Sequence, residues 1–146
     1  MKPPVENIRV SQRSREILIN LKRKTGIANW NVICRWAFCD SLANQNRPVA
    51  ASGSTESNIE MTWDTFAGDL SEVLLALFYE RAAQDGVKSD RHERAAYFRS
   101  HLERGICQLE SESPQASEAM VVLRLLADYH REPVLTAATR VYEQSI

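Results

Sequence analysis

Hydrophobic and polar positions change rhythm twice between Asn7 and Ala43. Ile8 and Val10 alternate with Asn7 and Arg9, the period of two that gives a short strand one apolar face. From Arg13 to Lys24 there is no Gly or Pro, and Ile17, Leu18 and Leu21 form an apolar stripe at helical spacing. Ser11 is placed to cap this helix, and its last turn holds Lys22, Arg23 and Lys24, where cations suit the negative end of the helix dipole. Thr25-Gly26 stops it, because glycine takes the left-handed conformation there without penalty. Asn29 or Asn31 then caps a second helix, in which Trp30, Val32, Ile33, Trp36, Ala37, Phe38, Cys39 and Leu42 leave few polar positions. A helix apolar nearly all round is buried nearly all round, so the rest of the chain or a second copy must cover it. Trp30, Ile33, Trp36 and Phe38 are the expected oligomer interface. Arg35, a lone charge on that helix, needs a partner.

Asn44 to Ser57 is polar with Pro and Gly and predicts a loop. Ile59, Met61 and Trp63 alternate with Glu60 and Thr62, as in a strand or extended segment that sets Trp63 on the core. Asp64 is expected to cap a helix from Thr65. Leu70, Val73, Leu74, Leu77 and Phe78 give the inward stripe of a helix over 69–83, ended by Gly86. Asp90 caps a helix over 91–109 with Ala95, Phe98, Leu102, Ile106 and Leu109 inward, and Gly105 on that face marks the close approach of another helix. Pro114 opens a further amphipathic helix through Val122 and Tyr129, and Val134 to Tyr142 forms a last short one. Together these predict an all-α protein of four to six helices, whose N-terminal strand–helix–helix unit packs with a helical bundle.

Charge sharpens this picture. Residues 1–47 carry nine Lys/Arg against three Asp/Glu, a net of +6, while the remainder carries nine against sixteen, a net of −7. A nearly neutral protein with a basic N-terminal third has a localised electrostatic footprint. With 146 residues, 44% hydrophobic and 25% charged, the chain is globular: one domain with an appendage, divided at 1–109 and 110–146. No run approaches the ~20 apolar residues of a membrane span, and MKPPVENIRV lacks a signal-peptide core, so the cytoplasm is the expected compartment.

The strand, helix, G-x-x-N turn and helix resemble the ribbon-helix-helix DNA-binding unit, in which strands from two chains pair and read bases in the major groove. That resemblance implies bases facing Asn7 and Arg9, and a phosphate at the backbone N–H groups near Asn29. A closer resemblance covers roughly Val5 to Leu109. The runs LKRKTGIANWNVICRWAFCDSLA, NIEMTWDTFAGDL and HLERGICQL, in that order, are similar to the DndE family of bacterial DNA sulfur-modification proteins. These are encoded with the machinery that places a phosphorothioate in the DNA backbone. The resemblance implies an all-α accessory protein that forms an oligomer, with a tetramer favoured and a dimer possible. It implies binding to double-stranded DNA, nicked duplex above all, and work beside the sulfur-transfer enzymes and their ATPase.

On this reading the DNA-binding residues are Arg9, Arg13, Arg15, Lys22, Arg23, Lys24 and Asn29. Two rival readings are an adaptor of the sulfur-transfer complex that leaves DNA to its partners, and a transcriptional regulator of the ribbon-helix-helix kind. Catalysis is not expected, for the phosphate-cradling, dinucleotide, nucleophile-elbow and H-E-x-x-H motifs are all missing. Cys34, Cys39 and Cys107 contain no C-x-x-C and read as small buried hydrophobes. Cys34 or Cys39 as a sulfur-carrying nucleophile would need a positive neighbour, and Arg35 is adjacent in sequence but not on the same face. His92 and His101 are not at metal-ligand spacing, so neither metal nor cofactor is expected.

Overall fold

Strand β1 (Asn7–Arg9) buries Ile8 and exposes Asn7 and Arg9, as its alternation predicts. Its partner is β2 (Glu60–Thr62) of the same chain, antiparallel, with Ile8 opposite Met61. The ribbon is therefore intramolecular, whereas the ribbon-helix-helix unit draws its second strand from another chain. The computed structural model describes residues 1–51, 53 and 57–111. The chain divides into two compact units, Met1–Glu112 and Ser113–Ile146. The helices expected after Pro114 lie outside the described residues.

Helix α1 (Gln12–Thr25) begins at Ser11, whose hydroxyl accepts the Ser14 N–H, and ends at Gly26 with φ 71°. Glu103 reinforces that start by accepting the Ser11 N–H and hydroxyl, both at 2.8 Å. Helix α2 (Trp30–Ala43) follows. The next helix, α3 (Trp63–Ala67), is capped by Thr62, whose Oγ1 accepts the Thr65 N–H at 3.2 Å, and not by Asp64 as expected. The chain leaves β2 extended, so its last residue already has the cap conformation. A 3-10 turn (Gly68–Leu70) leads into α4 (Ser71–Gln84), and α5 (Arg91–Ser111) completes the described helices. Asp90 opens α5 by accepting the Glu93 N–H at 3.1 Å.

The core forms where α2 crosses α5. A Cβ built on Gly105 would stand 1.7 Å from the Ala37 carbonyl oxygen, so the two helices touch through their backbones. Phe38 sits beside this crossing, with ring centroids of Phe66, Phe78 and Phe98 at 5.8, 6.5 and 5.0 Å. Ile33 and Phe38 are buried by these elements of their own chain, which corrects their assignment to an oligomer surface.

Past the crossing, two arginines grip the end of α2. Arg81 donates Nη1 to the Leu42 and Asn44 carbonyls, both at 2.7 Å, and Nη2 to the Asn46 carbonyl at 3.0 Å. Arg104 donates Nε to Ser41 Oγ and Nη2 to the Ser41 carbonyl, both at 2.8 Å. Carbonyls at a helix C-terminus have no partners within the helix, and guanidinium donors satisfy them here. Because Arg81 points inward, α4 is rotated from the expected face. Leu74, Leu75, Phe78 and Ala82 are buried, while Leu70, Val73 and Leu77 are 38%, 56% and 48% exposed.

Candidate nucleic-acid interface

The buried stripe of α1 (Ser14, Ile17, Leu18 and Leu21) fixes how its five cations fan out over the opposite side. At about 100° per residue, Arg15 and Lys22 fall within roughly 20° of each other, as do Arg13 and Lys24. The two pairs lie roughly 180° apart, with Arg23 between them at the crest. The cations thus clothe the whole solvent side rather than one line.

Each flank has different neighbours. Arg15 donates Nε to Asn58 Oδ1 at 2.7 Å, and Lys22 places Nζ 4.3 Å from the centroid of the Trp30 ring. That cation–π contact joins the basic last turn of α1 to the start of α2. There Asn29 is extended and makes no side-chain capping bond. Amide N–H groups of the first turn of α2 therefore lack a side-chain acceptor from the cap, and they lie at the positive end of its dipole. On the other flank Arg13 lies near Cys107, whose thiol pKa is raised by burial and by Glu103 and Glu110 and lowered by Arg13. At the crest Arg23 donates Nη2 to Asn20 Oδ1 at 2.7 Å. Among the described residues Arg13, Arg15, Lys22 and Arg23 form no ion pair, and Glu16 is the one acid of the helix.

The remaining candidates separate. Arg9 stands apart on β1, half exposed and paired with Glu60 at 2.7 Å. Trp30 and Trp36 are half-buried. Measured from the buried face of α2, the outward positions are Val32, Trp36, Cys39 and Ala43, spaced i, i+4, i+7 and i+11. An all-round apolar sequence hid this second stripe, and the inward face had to be known first. Among the described residues Arg35 finds no carboxylate. Its Nε is 3.4 Å from the Asn31 carbonyl and its Nη1 would be 3.2 Å from a Cβ on Gly68; burial lowers its pKa, against Cys39 and Asp69.

Neither cysteine of α2 is set up as a nucleophile. Burial pushes the Cys34 thiol up to about 12, with Glu103 adding to the effect. Cys39 is exposed rather than buried as expected, because it lies on the outward stripe, and partial desolvation by its neighbours still raises its thiol, although Arg35 opposes it. A thiol held above its ordinary range carries little thiolate at neutral pH.

Residues 7–117 match the family model of the DNA sulphur modification protein DndE. The fold is similar to the crystal structure of DndE from Escherichia coli B7A, described as involved in DNA phosphorothioation modification. That likeness has TM-score 0.59 and 22% identity, and covers 75% of this chain and 98% of the other. A glycine-to-lysine mutant of DndE, described as involved in DNA phosphorothioation, superimposes with TM-score 0.53 and 16% identity, over 72% and 98% of the two chains. None of the curated proteins compared matches the sequence.

Proposed function

The chain belongs to the DndE family of DNA sulphur modification proteins, and on that premise we propose that it is a non-catalytic subunit that holds double-stranded DNA for phosphorothioation. One observation carries this reading. The solvent side of α1 presents four cations, Arg13, Arg15, Lys22 and Arg23, without carboxylate partners among the described residues. A helix surface of that kind suits a phosphate backbone, which it contacts without reading sequence.

The working face is the flank made by Arg15 and Lys22, with Arg23 at the crest and the start of α2 at Asn29. It sets cations beside uncapped helix amides, a combination suited to phosphate. Arg13 lies toward Glu103 and Glu110, which repel phosphate, and Arg9 is engaged by Glu60. Both are secondary contacts. Lys24 shares the Arg13 flank and has a smaller part. Trp36, with Val32, Cys39 and Ala43, forms the surface that a second copy covers, and the oligomer, a tetramer by preference, brings several α1 helices to one duplex. A nick supplies the flexibility that lets a duplex follow such a composite surface.

The test is binding of the full-length protein to intact and nicked duplex across a salt series, read by fluorescence anisotropy. Expected is a log–log slope of roughly −0.9 per phosphate contacted, and tighter binding to the nicked duplex. Folded Lys22→Ala/Arg23→Ala/Lys24→Ala protein that binds as well as wild type would refute the α1 face. Wild type that binds no DNA at low salt would favour the adaptor reading. Light scattering of Trp36→Glu against wild type reads the assembly, and unchanged mass would remove the α2 stripe from it.

A further inference from the structure

A groove of about 330 Å³ runs between β1 and α5, with Asn7, Ile8 and Arg9 on one wall and Phe98, Arg99 and Leu102 on the other. Ile8 points to the opposite face of its strand from Asn7 and Arg9. A groove that touches all three runs along the strand's edge. Hydrogen bonding shows that this edge is the one β2 leaves open. The Val10 N–H donates to the Ile59 carbonyl at 3.3 Å, and the Trp63 N–H to the Glu6 carbonyl at 2.9 Å. With Ile8 opposite Met61, residues 6, 8 and 10 turn their main-chain groups toward β2. Asn7 and Arg9 turn theirs away, and no backbone partner reaches them among the described residues.

The lining adds charge of one sign. No Asp or Glu contributes to it among the described residues. Arg9 reaches it half exposed, with Nη2 paired to Glu60 at 2.7 Å and its other donors unpaired among the described residues. Arg99 donates Nη2 to the Gly53 carbonyl at 3.0 Å, while its Nε is buried and finds no acceptor among the described residues. An open strand edge is a template for another strand, and a guanidinium with an unused buried donor favours a carboxylate.

We propose that this groove docks an extended, acidic peptide segment of a partner protein, which adds to β1 as a third strand. Main-chain hydrogen bonds to Asn7 and Arg9 supply the pairing. Alternate carboxylates of the guest meet Arg9 and Arg99. DNA is the poorer fit. Its backbone has no donor for the Asn7 and Arg9 carbonyls, and Phe98, 2% exposed, offers no ring face for a base to stack on. None of the five α1 cations lines the groove, so the main DNA face stays free, and Arg9, a secondary contact there, is the one residue the two surfaces share.

A fluorescein-labelled hexapeptide of alternating valine and glutamate serves as the probe for the full-length protein. Expected is saturable anisotropy, with shifts of the Asn7 and Arg9 amide resonances. A backbone N-methylated copy of the peptide is expected to bind at least tenfold more weakly, since several strand bonds are lost together. Asn7→Pro removes one donor on the open edge and none toward β2, and Arg99→Gln removes the charge; each is expected to weaken binding roughly threefold to tenfold. Should Arg99→Gln not fold, Arg9→Gln and the N-methylated peptide carry the same question. Equal binding of a valine–lysine peptide would overturn the proposal, as would indifference to N-methylation or displacement of the probe by unlabelled duplex DNA.

Discussion

Arginine does opposite work at the two regions that α2 touches. At its C-terminal end, Arg81 and Arg104 give their donors to the carbonyls of Ser41, Leu42, Asn44 and Asn46, and Arg81 also binds Asp85 Oδ2 at 3.1 Å. On α1, Arg13, Arg15 and Arg23 have at most a side-chain amide as hydrogen-bond partner among the described residues, and Arg13 and Arg23 are exposed. Residue type is the same, and so is helical context. What differs is whether the surrounding chain has buried acceptors to satisfy. A guanidinium that closes buried carbonyls belongs to the fold; one left with neutral partners remains available to a polyanion. The two regions should therefore respond to substitution in opposite ways, one through stability and the other through binding.

The crossing of α2 and α5 should give the largest response. In Gly105→Ala the new methyl meets the Ala37 backbone, which cannot yield as a flexible side chain would. A loss of roughly 4 kcal/mol or more, or failure to fold, is expected in urea unfolding. A well-folded variant of near wild-type stability would mean that the helices stand farther apart. Arg81→Ala comes next. It leaves the Leu42 and Asn44 carbonyls and the Asp85 carboxylate without their cation, at a cost of about 3–5 kcal/mol.

That ranking also shows what could be read in the sequence. Helix α1 was legible to its ends, because Ser11, Gly26 and the Ile17–Leu18–Leu21 stripe are local signals that the fold does not override. Gly105 announced a close approach, though not its partner. The face of α4 was misread for a physical reason. Hydropathy assigns arginine outward, and only the unsatisfied end of α2 turns Arg81 in. Tyr97 went uncounted in the core for the same reason, since its partners, the Arg81 carbonyl and the Asp85 carboxylate, lie at the end of α4. On the candidate site, the identities of the α1 cations were legible and their division into two flanks was not. Which flank meets α2 depends on Lys22 finding Trp30.

A smaller effect comes from His101, which is fully buried between the two arginines of the clamp. Ser41 Oγ accepts from Arg104 Nε and lies 2.9 Å from His101 Nδ1, so the hydroxyl proton is assigned to Nδ1 and the imidazole is neutral. Its Nε2 has no acceptor among the described residues. Burial lowers its pKa from 6.5 to about 4, Arg104 and Arg81 adding to the effect against Asp85. The sign follows from linkage. The unfolded chain binds this proton more readily, so stability is unaffected well above pH 6.5 and falls as pH drops from 6.5 toward 4. The slope should reach at most about 1.4 kcal/mol per pH unit. Asp85, lowered by Tyr97 and Arg81 despite burial, acts below 3.8 and outside this window. Chemical denaturation at pH 5 and pH 7 should show the difference in wild type and lose most of it in His101→Gln. Equal pH dependence in both would assign the effect to other groups.

The cations of α1 should barely register in stability, and that is where the comparison is sharpest. Exposed charges contribute within about 0.5 kcal/mol each. Paired substitutions then separate the flanks. Arg15→Ala/Lys22→Ala should weaken duplex binding more than Arg13→Ala/Lys24→Ala, because the first pair borders the start of α2 and the second lies toward the acids of α5. If each pair removes two phosphate contacts, both salt slopes fall by roughly 1.8, and the flanks are equivalent. A fall of that size for the first pair with little change for the second orients the DNA across α1 toward α2. The reverse result would place it over α5, where Glu103 and Glu110 would have to be screened or displaced. If both pairs left binding untouched while lowering stability by several kcal/mol, the α1 cations would join Arg81 as parts of the scaffold, and the contrast between the two regions would disappear.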